Sequence, residues 1–391
     1  LRWSNWSGRV TAEPGEIVRV SDEAGAIAAV RRAAEGDQRV RCVGAAHSHA
    51  PLVATEGTIL DTEAVSGVVS VDRERMEIRV RAGTRISALG DPLREAGVAL
   101  HNQGDIDRQA IAGAIATGTH GTGRELRNLS AGVVGARVVL DQGEIVDCSA
   151  TTEPELFEVA RLSLGAVGVV TELRLSVRDA YKLEERMWFE PLDELLDRLD
   201  DHARATRHFE FFWLPGKPRA ACKALTETDA EPRYPLADEG SRLAWSYEVL
   251  ANDRPDKHTE MEYSIPAERG VACFRALREC IDRDFPDLSW PLELRTLAAD
   301  DLWISTASGR PTITISVHQG IDRDDEALFR ACEEIFCAHQ GRPHWGKVHY
   351  QSGDALAALY PRWREWWNVR DRYDPRGRFL NPYLERLRSA L

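Results

Sequence analysis

The chain has 391 residues, 43% of them hydrophobic, and a formal net charge of −13. That length accommodates two domains with sizeable cores, and the acidic balance argues against a nucleic-acid surface and against binding to anionic membranes. No apolar run approaches the length of a membrane-spanning helix, the first residues carry no signal-peptide pattern, and the seven cysteines are scattered without a C-x-x-C pair, so the expectation is a cytoplasmic protein with free thiols.

Taken in chain order, Ser21-Asp22-Glu23 caps an alanine-rich helix that runs to about Glu35. A strand at 39–43 leads into a small-residue loop containing His47. Alternating hydrophobicity over 68–71 and 76–82, across Asp72-Arg73-Glu74-Arg75, predicts a hairpin. A helix is expected over 86–95, a second hairpin turns at Asp141-Gln142-Gly143, and a long strand at 168–177 closes the first half. A domain boundary is placed near 178. The segment 220–242, rich in Thr, Asp, Glu and Pro, reads as a surface excursion. Helices at about 269–283 and 326–340 flank strands at about 293–297 and 312–319.

Two loops carry the chemistry. Ala116-Thr117-Gly118-Thr119-His120-Gly121 closes a run of small residues that begins at Ile111. A backbone stripped of bulk lies close against a large ligand, and its N–H groups make a nest for phosphate. There is no G-x-x-x-x-G-K-[ST], and no strand feeds a G-x-G-x-x-G with an acidic residue about 20 positions on, so neither a P-loop nor a nicotinamide site is supported. Gly44-Ala45-Ala46-His47-Ser48-His49 is a second loop of the same kind. Two such loops suit a dinucleotide held in extended form. His47-x-His49 is a minor candidate for a metal site and no other Cys/His cluster has metal-ligand spacing, so no metal is expected.

Those two loops, together with Ala82-Gly83-Thr84, His101-Asn102-Gln103-Gly104 and Leu164-Gly165-Ala166-Val167-Gly168-Val169-Val170, stand in an order that resembles flavin oxidases of the vanillyl-alcohol-oxidase type. Glu293-Leu294-Arg295, His344-Trp345-Gly346-Lys347 and Asp374-Pro375-Arg376-Gly377-Arg378-Phe379-Leu380-Asn381 narrow the resemblance to the aldonolactone and alditol oxidase branch, as does the opening Asn5-Trp6-Ser7-Gly8. It covers nearly the whole chain. It implies an α+β protein: a PCMH-type two-subdomain FAD-binding domain over 1–178, and an α/β substrate (cap) domain with an antiparallel sheet over 179–391, whose C-terminal segment returns to the flavin site. The cofactor contacts it implies are Val43, Gly44, Ala45, Ala46, His47, Ser48, Gly104, Asp105, Ala110, Gly113, Thr117, Gly118, Thr119, His120, Gly121, Val169 and Lys347.

In the resembled family a histidine at the place of His47 carries FAD covalently through its 8α carbon. A neutral imidazole supplies that nucleophile near neutral pH. On the substrate side, period-2 alternation puts Thr312, Thr314, Ser316 and His318 on one face of a strand, and Glu293 and Arg295 point to one side of another. Lys347 is one of only five lysines among 50 basic residues, which suggests a place where a compact point charge matters. The resemblance implies hydride transfer from a CH–OH group of a polyol, sugar or aldonolactone to flavin N5. Arg295 and Lys347 steady developing negative charge and Glu293 orients the donor. The small Gly104 at the family's oxygen gate implies an oxidase using O2 and releasing H2O2.

Two positions depart from the family pattern. Asp105 stands where a serine is usual and His318 where a threonine is usual. An ionised aspartate only accepts hydrogen bonds, so the pocket becomes more acidic. That raises the alternatives of an amino sugar, aminocyclitol or other natural-product alcohol as substrate, or of an Asp105–His318 proton relay. A flavin dehydrogenase with a non-oxygen acceptor also remains open.

Overall fold

The computed structural model describes residues 1–388. Its central element is an eight-stranded sheet in the order Leu243–Trp245, Lys182–Pro191, Arg219–Thr228, His208–Trp213, Leu292–Leu297, Thr312–Gly320, His258–Pro266, Arg342–Pro343. The pairings are antiparallel. Strand alternation divides its residues between two faces. Phe209, Phe211, Leu292, Leu294, Ile313 and Ile315 pack beneath the helices Ala267–Asp284 and Glu326–Ala338. Their neighbours in sequence, among them Glu210, Glu293, Arg295, Thr314 and Ser316, are buried on the opposite face. Burial of each large aliphatic or aromatic side chain contributes about 1.5–3 kcal/mol, so the helix-covered face supplies the stability. The other face must satisfy its polar atoms among themselves.

The N-terminal half holds a three-stranded and a five-stranded sheet, besides two-stranded pairs. Strands Glu16–Arg19, Thr58–Asp61 and Val40–Val43 are parallel, covered by the helix Glu23–Glu35, whose Asp22 side chain accepts the N–H of Gly25 at 2.8 Å. Ala26, Ala29, Val30 and Ala33, at helical spacing, form its buried face. Five antiparallel strands follow in the order Ile145–Ser149, Val133–Val139, Val169–Ser176, Glu77–Arg81, Val68–Asp72. The C-terminal helices Gly353–Leu359, Trp363–Tyr373 and Pro382–Arg388 pack back into this half, where Trp363, Trp366 and Leu384 share a core with Leu156 and Val138.

One expectation is overturned. Residues 219–228 are not a surface excursion but an interior strand, paired with both Lys182–Pro191 and His208–Trp213. Ala220, Cys222 and Ala224 are small apolar residues at period 2, and the polar composition of 226–242 masked them. The expected helix over 86–95 breaks into a 3-10 turn, Ile86–Ala88, and a short helix, Gly90–Glu95. Among the described residues no helix is long and apolar enough to cross a membrane.

Candidate active site

Two adjoining cavities mark the site, the first walled by the N-terminal half alone and the second lying between the halves. The first, of about 950 Å3, is walled by Val43, Gly44, Ala45, Ala46, Ala110 and Gly113, with His47, Ser48, Thr117 and Gly165. Its backbone is close-fitting: a Cβ on Gly44 would meet the Ala110 Cβ at 2.6 Å, whereas one on Gly113 would meet nothing within 4 Å. Among the described residues the N–H groups of Ala45, Ala46, His47 and Ser48 donate no hydrogen bond. Arg41 also lines the cavity, but its buried guanidinium donates to the carbonyls of Leu52, Gly165, Leu164 and Phe379. It therefore ties the walls together. Small walls with uncommitted N–H donors fit an extended dinucleotide, with the donors available to a pyrophosphate.

The second cavity, of about 1270 Å3, lies against the polar face of the large sheet. His47 and Gln109 line both cavities. Burial, aided by Arg85, Lys347 and Arg108, pulls the His47 imidazole down to about 4, so it is neutral at pH 7. Trp6 stacks on it, with ring centroids 5.5 Å apart. Glu293, Arg295, His318 and Lys347 all line the second cavity, as do Gly104, Asp105, Thr119 and His120.

A buried network sets the electrostatics of this face. Register places Glu262 opposite Ser316 and Glu260 opposite His318 on neighbouring strands. Glu262 accepts from Ser316 Oγ at 2.8 Å and from Arg295 Nη2 at 3.0 Å, and His120 Nε2 lies 2.8 Å from its other oxygen. Arg295 Nη2 also donates to Glu293 Oε2 at 3.0 Å. Glu293 Oε1, buried, has no hydrogen-bond partner among the described residues. Burial, with the nearby carboxylates of Glu210, Asp105 and Glu260, pushes Glu293 well above the carboxylate range against the pull of Arg295. Glu260 goes the other way. Burial alone would raise it, but Lys347, His318, His258 and His49 outweigh burial and hold it well below. Lys347 donates to Glu260 Oε2. Burial lowers His318, with Glu260 opposing.

Four sequence expectations change on this geometry. Val169 is wholly buried in the core formed with the helix Glu23–Glu35, while its neighbours Gly168 and Val170 line the first cavity, as strand alternation requires. Gly118 packs against Leu162, and Gly121 against the Gln103 carbonyl, rather than lining either main cavity. Asp105 and His318 form no relay. The Asp105 carboxylate accepts from Asn252 Nδ2 and from Arg254 Nε at 3.0 Å, while His318 Nδ1 bonds the Pro291 carbonyl at 2.8 Å. Each Asp105 oxygen thus accepts one protein hydrogen bond at the edge of the second cavity.

Sequence reading missed Glu260 and Glu262. The signal was there: His258, Glu260, Glu262 and Ser264 alternate with Thr259, Met261, Tyr263 and Ile265. It also missed Lys223, buried among Glu210 and Glu239 at 3.3 Å and Glu185 at 3.7 Å, because its strand was read as loop. Two groups, His49 with His258 and Glu260, and His120 with Glu262 and His344, bring their ligand atoms within 4.8 Å of one another. In each the carboxylate already bonds a cationic side chain, Lys347 or Arg295, which supplies the positive charge a metal ion would bring.

Residues 173–244 and 237–387 match the family model described as D-arabinono-1,4-lactone oxidase, and residues 14–149 match that of an FAD binding domain. The L-gulono-1,4-lactone dehydrogenase of Mycobacterium tuberculosis is 36% identical, with 98% of each chain covered. The chain belongs to the D-arabinono-1,4-lactone oxidase family. It is an FAD-dependent oxidoreductase acting on CH–OH donors. The alditol oxidase of a Streptomyces species is 29% identical over 98% of each chain. Among solved structures, a solvent-stable cholesterol oxidase shares the fold with a TM-score of 0.87 at 16% identity, covering 99% of this chain and 97% of that one. A carbohydrate oxidase from Microdochium nivale shares it at 0.78 and 18% identity, covering 96% of this chain and 92% of that one. The fold is the two-domain α+β architecture of PCMH flavoprotein oxidases.

Proposed function

We propose that the chain oxidises a CH–OH group of a sugar lactone or polyol, with FAD held through His47 and O2 as the electron acceptor, releasing H2O2 in the cytoplasm. One observation carries this reading: His47 and Gln109 belong to both cavities, so the small-residue cradle opens directly onto the wall bearing Glu293, Arg295 and Lys347. The cofactor is assigned to residues 1–178 and the donor mainly to 179–391. The uncommitted N–H groups of 45–48 would hold the pyrophosphate, and the neutral His47 ring is competent as the nucleophile for a covalent link. FAD, when bound, supplies the hydride acceptor.

The chain's own residues do the rest. Arg295 and Lys347 place positive charge beside the donor oxygen as its proton leaves. Glu293, raised above the carboxylate range by burial and with its Oε1 free of protein partners among the described residues, orients a donor oxygen. L-Gulono-1,4-lactone is the first donor to try, because the 36% identical relative is named for it. That relative is named a dehydrogenase, which supports a second reading with a non-oxygen acceptor.

Anaerobic addition of L-gulono-1,4-lactone, xylitol or glucosamine to the yellow protein tests the donor, with loss of absorbance near 450 nm expected for the lactone or polyol. Oxygen consumption with the bleaching donor separates oxidase from dehydrogenase. Acid precipitation should leave the colour with the polypeptide and release it in His47→Ala. Colour released equally from both proteins would sink the covalent link.

A further inference from the structure

Glu260 stands outside every motif that marked the site, yet four basic groups converge on it. Lys347 Nζ bonds its Oε2. His258 Nε2 lies 3.8 Å and His49 Nε2 3.9 Å from the same oxygen, and His318 Nε2 lies 3.6 Å from the other. The carboxylate is 94% buried (6% exposed), and the four groups come from separate places in the chain: the His47 loop, the strand His258–Pro266, the strand Thr312–Gly320 and the 344–347 turn. The backbone reinforces the meeting point. His49 N donates to the Gly346 carbonyl at 2.7 Å, and Val348 N donates to the Glu260 carbonyl at 2.9 Å.

We propose that Glu260 is a positioning residue for this reaction: it fixes the Lys347 ammonium at the cleft wall and gathers His49, His258 and His318 around one buried negative charge. The inference rests on the alcohol-oxidising function above. Its physical basis is simple. An adjacent anion favours the charged form of an ammonium, and of the other carboxylates on that face Glu293 and Glu262 both bond Arg295 instead of Lys347. Without Glu260, Lys347 would face the buried imidazoles of His47, His49, His318 and His344 with no anion bonded to it. His49 Nδ1, buried and without a hydrogen bond among the described residues, would then stand as a proton acceptor next to an unanchored amine. Glu260 thus fixes where the Lys347 amine stands relative to the donor hydroxyl and to the three imidazoles around it.

The test uses the flavin-loaded protein and Glu260→Gln, which keeps the shape and removes the charge. Lys347 is labelled with an amine-selective acylating reagent across pH 6–10 and quantified by mass spectrometry, with the other four lysines as internal references. The expected result is a Lys347 profile displaced to lower pH by about one unit or more, with Lys182 and Lys257 unchanged. The basic limb of kcat/KM for L-gulono-1,4-lactone should move by the same amount. Glu260→Asp retains the charge one methylene further back and should give an intermediate profile. An unchanged Lys347 profile in whichever variant folds overturns the proposal. If the wild-type protein does not turn over the lactone, the proposed donor fails, while the labelling result still decides the role of Glu260.

Discussion

Arg41 is the residue whose loss should cost the cofactor cradle most. Its side chain is fully buried, and its guanidinium donates to Leu52 O at 2.6 Å, Gly165 O at 2.6 Å, Leu164 O at 2.7 Å and Phe379 O. Burial pulls its pKa down to about 10, which still leaves it charged at neutral pH. Arg41→Met preserves the aliphatic stem and removes all the donors. Carbonyls left without partners cost about 1–3 kcal/mol each, partly offset because a cation no longer has to be desolvated. We expect a net loss of about 3–5 kcal/mol. For a unit of this size each kcal/mol lowers Tm by roughly 2–4 °C, so the midpoint should fall by roughly 6–20 °C. Of the segments so tied, 52 and 164–165 line the first cavity, and flavin retention on gel filtration should fall as well. Thermal unfolding followed by circular dichroism at matched flavin occupancy measures the first effect, and the ratio of absorbance at 450 and 280 nm the second. A variant that melts within about 2 °C of the wild type and keeps its flavin would refute the idea that this one guanidinium holds the cradle together.

Two further outcomes are expected. His208, His344 and His349 are buried, and burial holds each near 3, below the free value of about 6.5. The unfolded chain therefore takes up their protons first, so their stabilising contribution is complete above about pH 6.5 and is lost as pH falls toward 3, by about 1.4 kcal/mol per pH unit for each histidine. Urea midpoints at pH 7, 6 and 5 should drop steeply, and equal midpoints at pH 7 and 5 would count against these rings being buried and neutral. Asp105→Ser should free the 252–254 segment, since it removes the acceptor for Arg254 and Asn252. Faster limited proteolysis between 250 and 257 is expected, with no gain in xylitol over lactone turnover; a new preference for xylitol would show that Asp105 selects the donor after all.

The fold class and the cofactor loops were legible because small residues are informative by themselves. A run such as Gly44-Ala45-Ala46 has few uses besides close approach to a ligand. The capped helix ending at Glu35 and the hairpin around Asp72 were legible because turn and cap residues flank clean periodicities. What failed was the polar face of the large sheet. Strands such as His258–Pro266 alternate glutamate with aromatic and aliphatic residues, and every position is buried. Charge at period 2 is ordinarily the mark of a solvated face, so buried charge on a strand is visible only once the partner charges are known. Two of those partners, Arg295 and Lys347, lie 33 and 87 positions away in the chain. Val169 was misassigned for a related reason: being adjacent to two lining residues on a strand puts a side chain on the wrong side.

The closing stretch of the chain has a consequence for biosynthesis. Arg378 Nη1 donates to the carbonyls of Ala33 and Gln38, and Asn381 Nδ2 to those of Pro51, Leu52 and Ala54. These bonds belt the cradle with residues more than three hundred positions further along the chain. On a ribosome the nascent polypeptide reaches residue 51 more than three hundred peptide bonds before Asn381 emerges. Stable capture of the flavin therefore waits until translation has passed that asparagine, and ribosomes stalled earlier should carry a half-built, colourless nascent chain.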